Sequence, residues 1–175
     1  MKRNVLNTII LVSISCLLAG GCGSSITKMT ANSLTLENKH PYSVKIETTG
    51  WEKIGKLQTS GLTNERYTQT LIKSIQSTGL FKEAIETGNA DYNLKVTVIK
   101  HILPGHIGDF DLTMTTQWQL IDTDGKVVCN EIIDSVYTSK LTDELVTFDR
   151  LQKANENLVK INIEQGIQKL AQLKF

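Results

Sequence analysis

The stretch that decides the fold is residues 110–128, which read FDLTMTTQWQLIDTDGKVV. Its apolar series is Phe110, Leu112, Met114, Trp118 and Leu120, with Thr116 the polar member of that series. Alternation with a period of two predicts a strand with one face on a core and the other in water, as in antiparallel sheets. The turn Asp-Thr-Asp-Gly at 122–125 places glycine where a positive φ is needed, so a hairpin to a partner strand over about 126–137 is predicted.

Further strands are predicted on the N-terminal side of this hairpin. Residues 92–98 alternate in the same way, with tyrosine, leucine and valine on one face. Two short β-type runs, 33–37 and 42–48, flank a turn at 38–41. Residues 51–61 show no clear period and are predicted to be loop.

Two helices complete the pattern. One is predicted from Thr63 or Asn64 to about Thr78, ended by Gly79 in a left-handed cap with Leu80 packing back on the helix. Its apolar stripe is Tyr67, Leu71, Ile72 and Ile75. The other is a long helical pattern over 147–173, in which Gly166 costs about 1 kcal/mol relative to alanine.

The order of these elements is β(β)-α-β-β-β-α. Two helices with one apolar stripe each and a sheet with one apolar face predict an α+β, two-layer sandwich. We expect a mainly antiparallel sheet with both helices on one face, forming a single domain over residues 33–175.

The N-terminus has the pattern of a lipoprotein signal peptide over residues 1–21. Two basic residues precede a short apolar segment, and the small residues 19–21 stand directly before Cys22. We expect Cys22 to be acylated and residues 22–32 to form a lipidated N-terminus and flexible tether. Ala19 departs from the leucine usual at that position, so ordinary secretory cleavage and an uncleaved anchor remain alternatives.

Charge and cysteine content exclude several classes of protein. The chain carries 19 basic and 18 acidic residues, a balance that argues against nucleic-acid binding. After cleavage and acylation Cys129 would be the remaining free cysteine, so this is no disulfide scaffold. Cys129 lies in an apolar run and is interpreted as a buried side chain, with a reactive thiol or intermolecular bridge as the alternative. We expect no cofactor.

Candidate site residues are few. His101 and His106 flank a loop followed by Asp109 and Asp111, so a metal site is conceivable, but Pro-Gly at 104–105 favours a solvated turn and we expect no metal.

Trp118 belongs to the apolar face of its strand, whereas Trp51 follows a glycine in irregular sequence. Trp51 is therefore a candidate contact for a protein partner, and His106, in the loop 103–109, is a second one. The outward face rich in threonine and glutamine is either ordinary surface or a surface that a partner covers.

Three segments carry a resemblance to a known group. They are the helix from Leu71 ending in Gly79-Leu80-Phe81, the strand start Ala90-Asp91-Tyr92-Asn93-Leu94, and the hairpin from Trp118 to Val128. This pattern is similar to small outer-membrane lipoproteins that include ABC-transport auxiliary lipoproteins, the lipoprotein partner in lipopolysaccharide assembly, and domains like the N-terminal part of TolB. The chain lacks an apolar strand directly after Cys22, which separates it from the lipopolysaccharide-assembly partner.

The resemblance implies a lipid-anchored, periplasm-facing accessory or assembly factor that is not an enzyme. We expect it at the outer membrane, because Gly23 rather than aspartate follows Cys22. The expected partners are the membrane, through acylated Cys22, and an envelope protein or transport complex. One alternative function is a periplasmic carrier or binder of phospholipid or lipopolysaccharide. The other is an envelope hydrolase that uses His101 or His106 together with a carboxylate.

Overall fold

A computed structural model of the chain describes residues 25–54, 61–103, 108–144 and 146–175. The predicted signal peptide, Cys22 and His106 lie outside the described residues. The elements in chain order are α1 (Ile26–Met29), β1 (His40–Thr49), α2 (Trp51–Ile54), α3 (Asn64–Thr78), β2 (Phe81–Ile85), β3 (Tyr92–Ile102), β4 (Phe110–Asp122), β5 (Val127–Ser139) and α4 (Thr147–Ala171).

The strands form one five-stranded sheet in the order β2-β1-β3-β4-β5. β1 runs parallel to both of its neighbours, whereas β3, β4 and β5 form an antiparallel meander. The α+β architecture predicted from the sequence is confirmed, with a sheet that is mixed in strand direction.

The two long helices pack on one face of this sheet. α3 contacts β1 and β2, and α4 contacts β4 and β5. The inward side chains of the strands lie between the sheet and these two helices, and all the members of the apolar series on β4 are buried. Each large side chain moved out of water there contributes about 1.5–3 kcal/mol, so this interface is the main source of stability.

Local signals explain where α3 begins and ends. The hydroxyl of Thr63 accepts a hydrogen bond from the backbone N–H of Arg66 at 3.2 Å, as an N-cap does. At the other end Gly79 has φ 64°, and the N–H of Leu80 donates to the carbonyl of Ile75 at 3.3 Å. This is the left-handed cap expected from the sequence.

Three local predictions were wrong. Residues 33–37 form no strand; Leu34 and Leu36 instead reach the core from an unpaired segment. β2 was missed, because its adjacent Lys82 and Glu83 break the alternation and it pairs only at the edge of the sheet. The first residues of the predicted loop at 51–61 form the short helix α2.

Residues 25–32 belong to the folded domain and not to a flexible tether. Met29 and Ala31 are fully buried, and the N–H of Ala31 donates to the hydroxyl of Ser74 on α3 at 3.0 Å. The small polar residues of this segment suggested a linker, but two apolar side chains and one buried hydrogen bond hold it between α3 and α4.

Candidate interaction surface

The outer face is the side of the β3-β4-β5 meander opposite to α3 and α4. Its described residues include Lys95, Thr97, Lys100, Ile102, Asp111, Thr113, Thr115, Gln117, Gln119, Asn130, Ile132, Asp134, Val136 and Thr138. Strand alternation puts these side chains opposite to the buried series. This surface lies entirely on paired strands of the sheet.

Hydrogen bonds between neighbouring strands order the polar part of the outer face. Thr115 donates to Asp134 Oδ1 at 2.6 Å, and Gln117 donates from Nε2 to Asn130 Oδ1 at 2.9 Å. Thr138 on β5 likewise donates to the carboxylate of Asp111 at 2.6 Å. Paired side chains of this kind have already lost their rotamer freedom, so little ordering cost would remain on binding.

Apolar side chains stand exposed among these polar pairs. In one row across the sheet, Thr113 lies between Ile102 and Val136; in another, Gln117 lies between Thr97 and Ile132. Ile132 is 51% exposed and Val136 is 56% exposed. A partner that covers this face would bury these apolar groups beside polar pairs that are already hydrogen-bonded.

β5 is also an edge strand. It spans Val127–Ser139, and within the described residues only β4 pairs with it. An edge strand presents backbone N–H and C=O groups that can accept a further strand. The outer face and this edge are contiguous, because both include the exposed side of β5.

Trp51 does not contribute to a surface. It is 2% exposed, and its ring packs edge-on against Tyr67 and His101 at centroid distances of 5.9 and 5.1 Å. The preceding Gly50, with φ 105°, lies so close to β3 that a Cβ there would be 2.2 Å from the carbonyl oxygen of Val98. The predicted partner contact at Trp51 is therefore wrong, and that at His106 lies outside the described residues.

Three of the residues weighed as metal ligands, namely His101, Asp109 and Asp111, have structural partners. His101 is buried, and its Nε2 is 2.7 Å from Oδ1 of Asn155 on α4. Burial lowers the pKa of His101, with the contact to Asn155 acting in the opposite direction. Asp109 and Asp111 accept hydrogen bonds from Leu141 and Thr138, and the described residues contain no group of three or more potential metal ligands.

A buried polar cluster around Asn162 was not foreseen. Oδ1 of Asn162 accepts hydrogen bonds from Thr116 at 2.8 Å and Tyr67 at 3.1 Å, and its Nδ2 donates to Ser135 at 3.0 Å. Thr116 in turn accepts from Nε1 of Trp118 at 2.9 Å. The cluster joins both long helices to the two strands β4 and β5, and burial raises the pKa of Tyr67. The threonine within the apolar series of β4 was its one signal in the sequence.

Cys129 is buried, as the sequence predicted. Burial raises the pKa of its thiol, and the nearby carboxylate of Glu131 acts in the same direction. A thiol with a raised pKa is a poor nucleophile, which favours a packing role.

No family model matches the sequence, and no curated protein matches it at a significant level. Solved structures do resemble the fold. A Xanthomonas campestris protein of the family DUF330 is 12% identical over 78% of this chain and 86% of its own, with a TM-score of 0.59. A hypothetical protein from Chlamydia trachomatis is 11% identical over 74% of this chain and 98% of its own, with a TM-score of 0.52.

A weaker match is a minor lipoprotein from Acinetobacter baumannii, 14% identical over 79% of this chain and 90% of its own, with a TM-score of 0.36. The two stronger similarities show a shared fold and carry no function at these identities. Within the described residues, no helix has both the length and the hydropathy to cross a membrane.

Proposed function

We propose that this chain is a lipid-anchored envelope lipoprotein of the outer membrane that acts as a non-enzymatic accessory or assembly factor. The observation that carries the contact role is the outer face, where exposed Ile132 and Val136 stand among side chains already hydrogen-bonded to one another. The anchor is proposed from Cys22 and its preceding small residues. The partner is an envelope protein or transport complex that covers this face.

The polar groups of the outer face favour binding over catalysis. Thr115, Gln117 and Thr138 each donate to a side chain of the neighbouring strand, on an open surface instead of a cleft. A catalytic site needs such groups directed at a substrate in a concave pocket.

The alternative role as a lipid carrier has less support. An acyl chain would need apolar space between the helices and the sheet, yet a Cβ added at Gly166 of α4 would lie 2.3 Å from Cζ2 of Trp118. The layers are in direct contact at this point. Cavities of about 600, 490 and 280 Å³ lie at the surface and are lined largely by charged and polar residues.

Photo-crosslinking in intact cells tests the contact role. A photoreactive amino acid is placed at Gln117 on the outer face and, as a control, at the exposed Lys73 on α3. We expect discrete adducts with an envelope protein from position 117 and none from position 73. Adducts from both positions, or from neither, would contradict the proposal.

Two further variants separate anchoring from contact. Cys22→Ala should move the protein out of the membrane fraction in flotation. Ile132→Asp should abolish the adduct at position 117 while the melting temperature and the membrane fraction stay unchanged, because the side chain is exposed. An adduct that persists in Ile132→Asp would show that the Ile132 side chain does not contribute to the contact.

A further inference from the structure

The chain is held firmly at the point where it enters the domain. The backbone N–H of Ser25 donates to Oε1 of Glu156 on α4 at 2.7 Å, and Nζ of Lys28 lies 3.6 Å from Oε2 of the same carboxylate. Glu156 is buried, and a buried carboxylate without hydrogen-bond or ion-pair partners would destabilise the fold. The position of Ser25 on the flank of α4 is therefore set by the fold.

The lipid attachment site cannot lie far from that flank. Cys22 precedes Ser25 by three residues, and each residue of chain spans at most about 3.6 Å, which gives a limit of about 11 Å between their Cα atoms. An acylated Cys22 lies at the membrane surface. The bilayer must consequently approach the part of the domain that surrounds Ser25.

Exposed apolar side chains lie in that part of the domain. Leu141 is 59% exposed, Val146 is 56% exposed and Phe148 is 47% exposed, all in the connection from β5 to the first turn of α4. Phe148 is eight residues before Glu156, which places it about 12 Å away along the axis of α4 and about 80° around it.

The same region contains a polar recess beside α1. A cavity of about 600 Å³ is lined by Lys28 of α1 together with Glu144, Asp149 and Lys153, so the segment that carries the apolar side chains borders the anchor segment. Nζ of Lys153 lies 3.1 Å from Oε1 of Glu144. Because acidic and basic groups alternate here, apolar burial and not net charge would hold this region against lipid.

We propose that Leu141, Val146 and Phe148 form a membrane edge that enters the interfacial region of the bilayer holding the acylated Cys22. This inference rests on the lipid anchor of the proposed function and adds a second, non-covalent contact to it. The acyl chains fix the distance from the membrane, and the membrane edge fixes the orientation of the domain. Interfacial side chains of this kind enter about 5–10 Å into the boundary between headgroups and acyl chains.

Depth-dependent quenching tests the membrane edge. The full-length lipidated protein is reconstituted into vesicles of equal parts phosphatidylethanolamine and phosphatidylglycerol, with and without a spin-labelled lipid. An environment-sensitive dye is attached to Phe148→Cys or, as a matched control, to Ile132→Cys on the outer face, which is similarly exposed. Wild type supplies the background, because Cys129 is buried.

We expect the spin-labelled lipid to quench about half of the fluorescence at position 148 and to leave position 132 almost unchanged, since only the former would be within the roughly 5–10 Å interfacial depth. Equal quenching at both positions, or none at position 148, would overturn the membrane edge. Flotation of the same vesicles reports the anchor separately: protein that does not float contradicts the lipid anchor itself, whereas floating protein without quenching contradicts the membrane edge alone.

Discussion

Two consecutive threonines on β4 show how differently the two faces of one strand are used. Thr116 points inward, is buried, and connects Asn162 of α4 with the indole of Trp118. Thr115 points outward and donates to Asp134 on the adjacent strand. The inner hydroxyl joins the two layers of the domain, whereas the outer one joins only neighbouring strands. The same residue type therefore supports the fold on one face and prepares a surface on the other.

The largest difference between the two faces is expected when the stability losses of Asn162→Ala and Asn130→Ala are compared. Removing Asn162 takes away the acceptor of the buried hydroxyls of Tyr67 and Thr116, and we expect a loss of about 3 kcal/mol in the free energy of unfolding. Asn130 is exposed and accepts from Gln117, so its replacement should cost less than about 0.5 kcal/mol. Chemical denaturation measures both, and equal losses would show that the two faces do not differ.

The next effect is expected at Gly166. Alanine is the better helix former by about 1 kcal/mol, yet its Cβ would overlap the ring of Trp118. We expect Gly166→Ala to lower the free energy of unfolding by about 2 kcal/mol through overpacking.

Trp118→Leu supplies the control for that overlap. If the ring causes the strain, Gly166→Ala should cost less in the Trp118→Leu background, and a double-mutant cycle measures the difference. A gain in stability from Gly166→Ala alone would show that the layers can separate at this point.

A smaller effect separates the two threonines themselves. Valine has nearly the shape of threonine and lacks the hydroxyl. Thr116→Val should cost about 1.5 kcal/mol, because the indole N–H of Trp118 loses its acceptor, while Thr115→Val should stay within about 0.5 kcal/mol. Thermal unfolding of the two variants compares them directly, and a larger loss at Thr115 would reverse the assignment of roles.

The smallest effect is expected in the pH dependence of the free energy of unfolding. The pKa of His101 is lowered from 6.5 by burial, so the folded protein holds it neutral where the unfolded chain would already take up a proton. The contribution of His101 to the free energy of unfolding is fully present above pH 6.5. It decreases as the pH falls towards the lower pKa that His101 has in the folded protein, by at most about 1.4 kcal/mol per pH unit for one proton. His101→Gln should flatten this part of the plot of unfolding free energy against pH. An unchanged plot would show that another group causes the pH dependence.

Sequence periodicity was informative wherever a residue's role follows from its neighbours in the chain. The alternation along β4 assigned both of its faces, and Thr63 and Gly79 marked the ends of α3. It could not identify Asn162 as the partner of Thr116, because that pairing is made in space between a helix and a strand.

The misjudged residues were those whose environment comes from distant parts of the chain. Trp51 looked exposed because its surroundings lack a period, although β3 and α3 cover it. Met29 and Ala31 looked like linker residues because the segment around them is small and polar. The outer face was visible as a run of threonine and glutamine, but its exposed Ile132 and Val136 became part of it only through strand register.

The position of β1 has a consequence for how the chain acquires its structure. Val44 of β1 pairs with Ala84 of β2 on one side and with Tyr92 of β3 on the other. Both strands that flank β1 therefore follow it in the sequence. The strands β3, β4 and β5 of the meander, by contrast, are separated in the sequence by only seven and four residues. Contacts between distant residues slow folding, because the intervening chain must be ordered first. We therefore expect the C-terminal meander to assemble early and the insertion of β1 to be the slow step of folding.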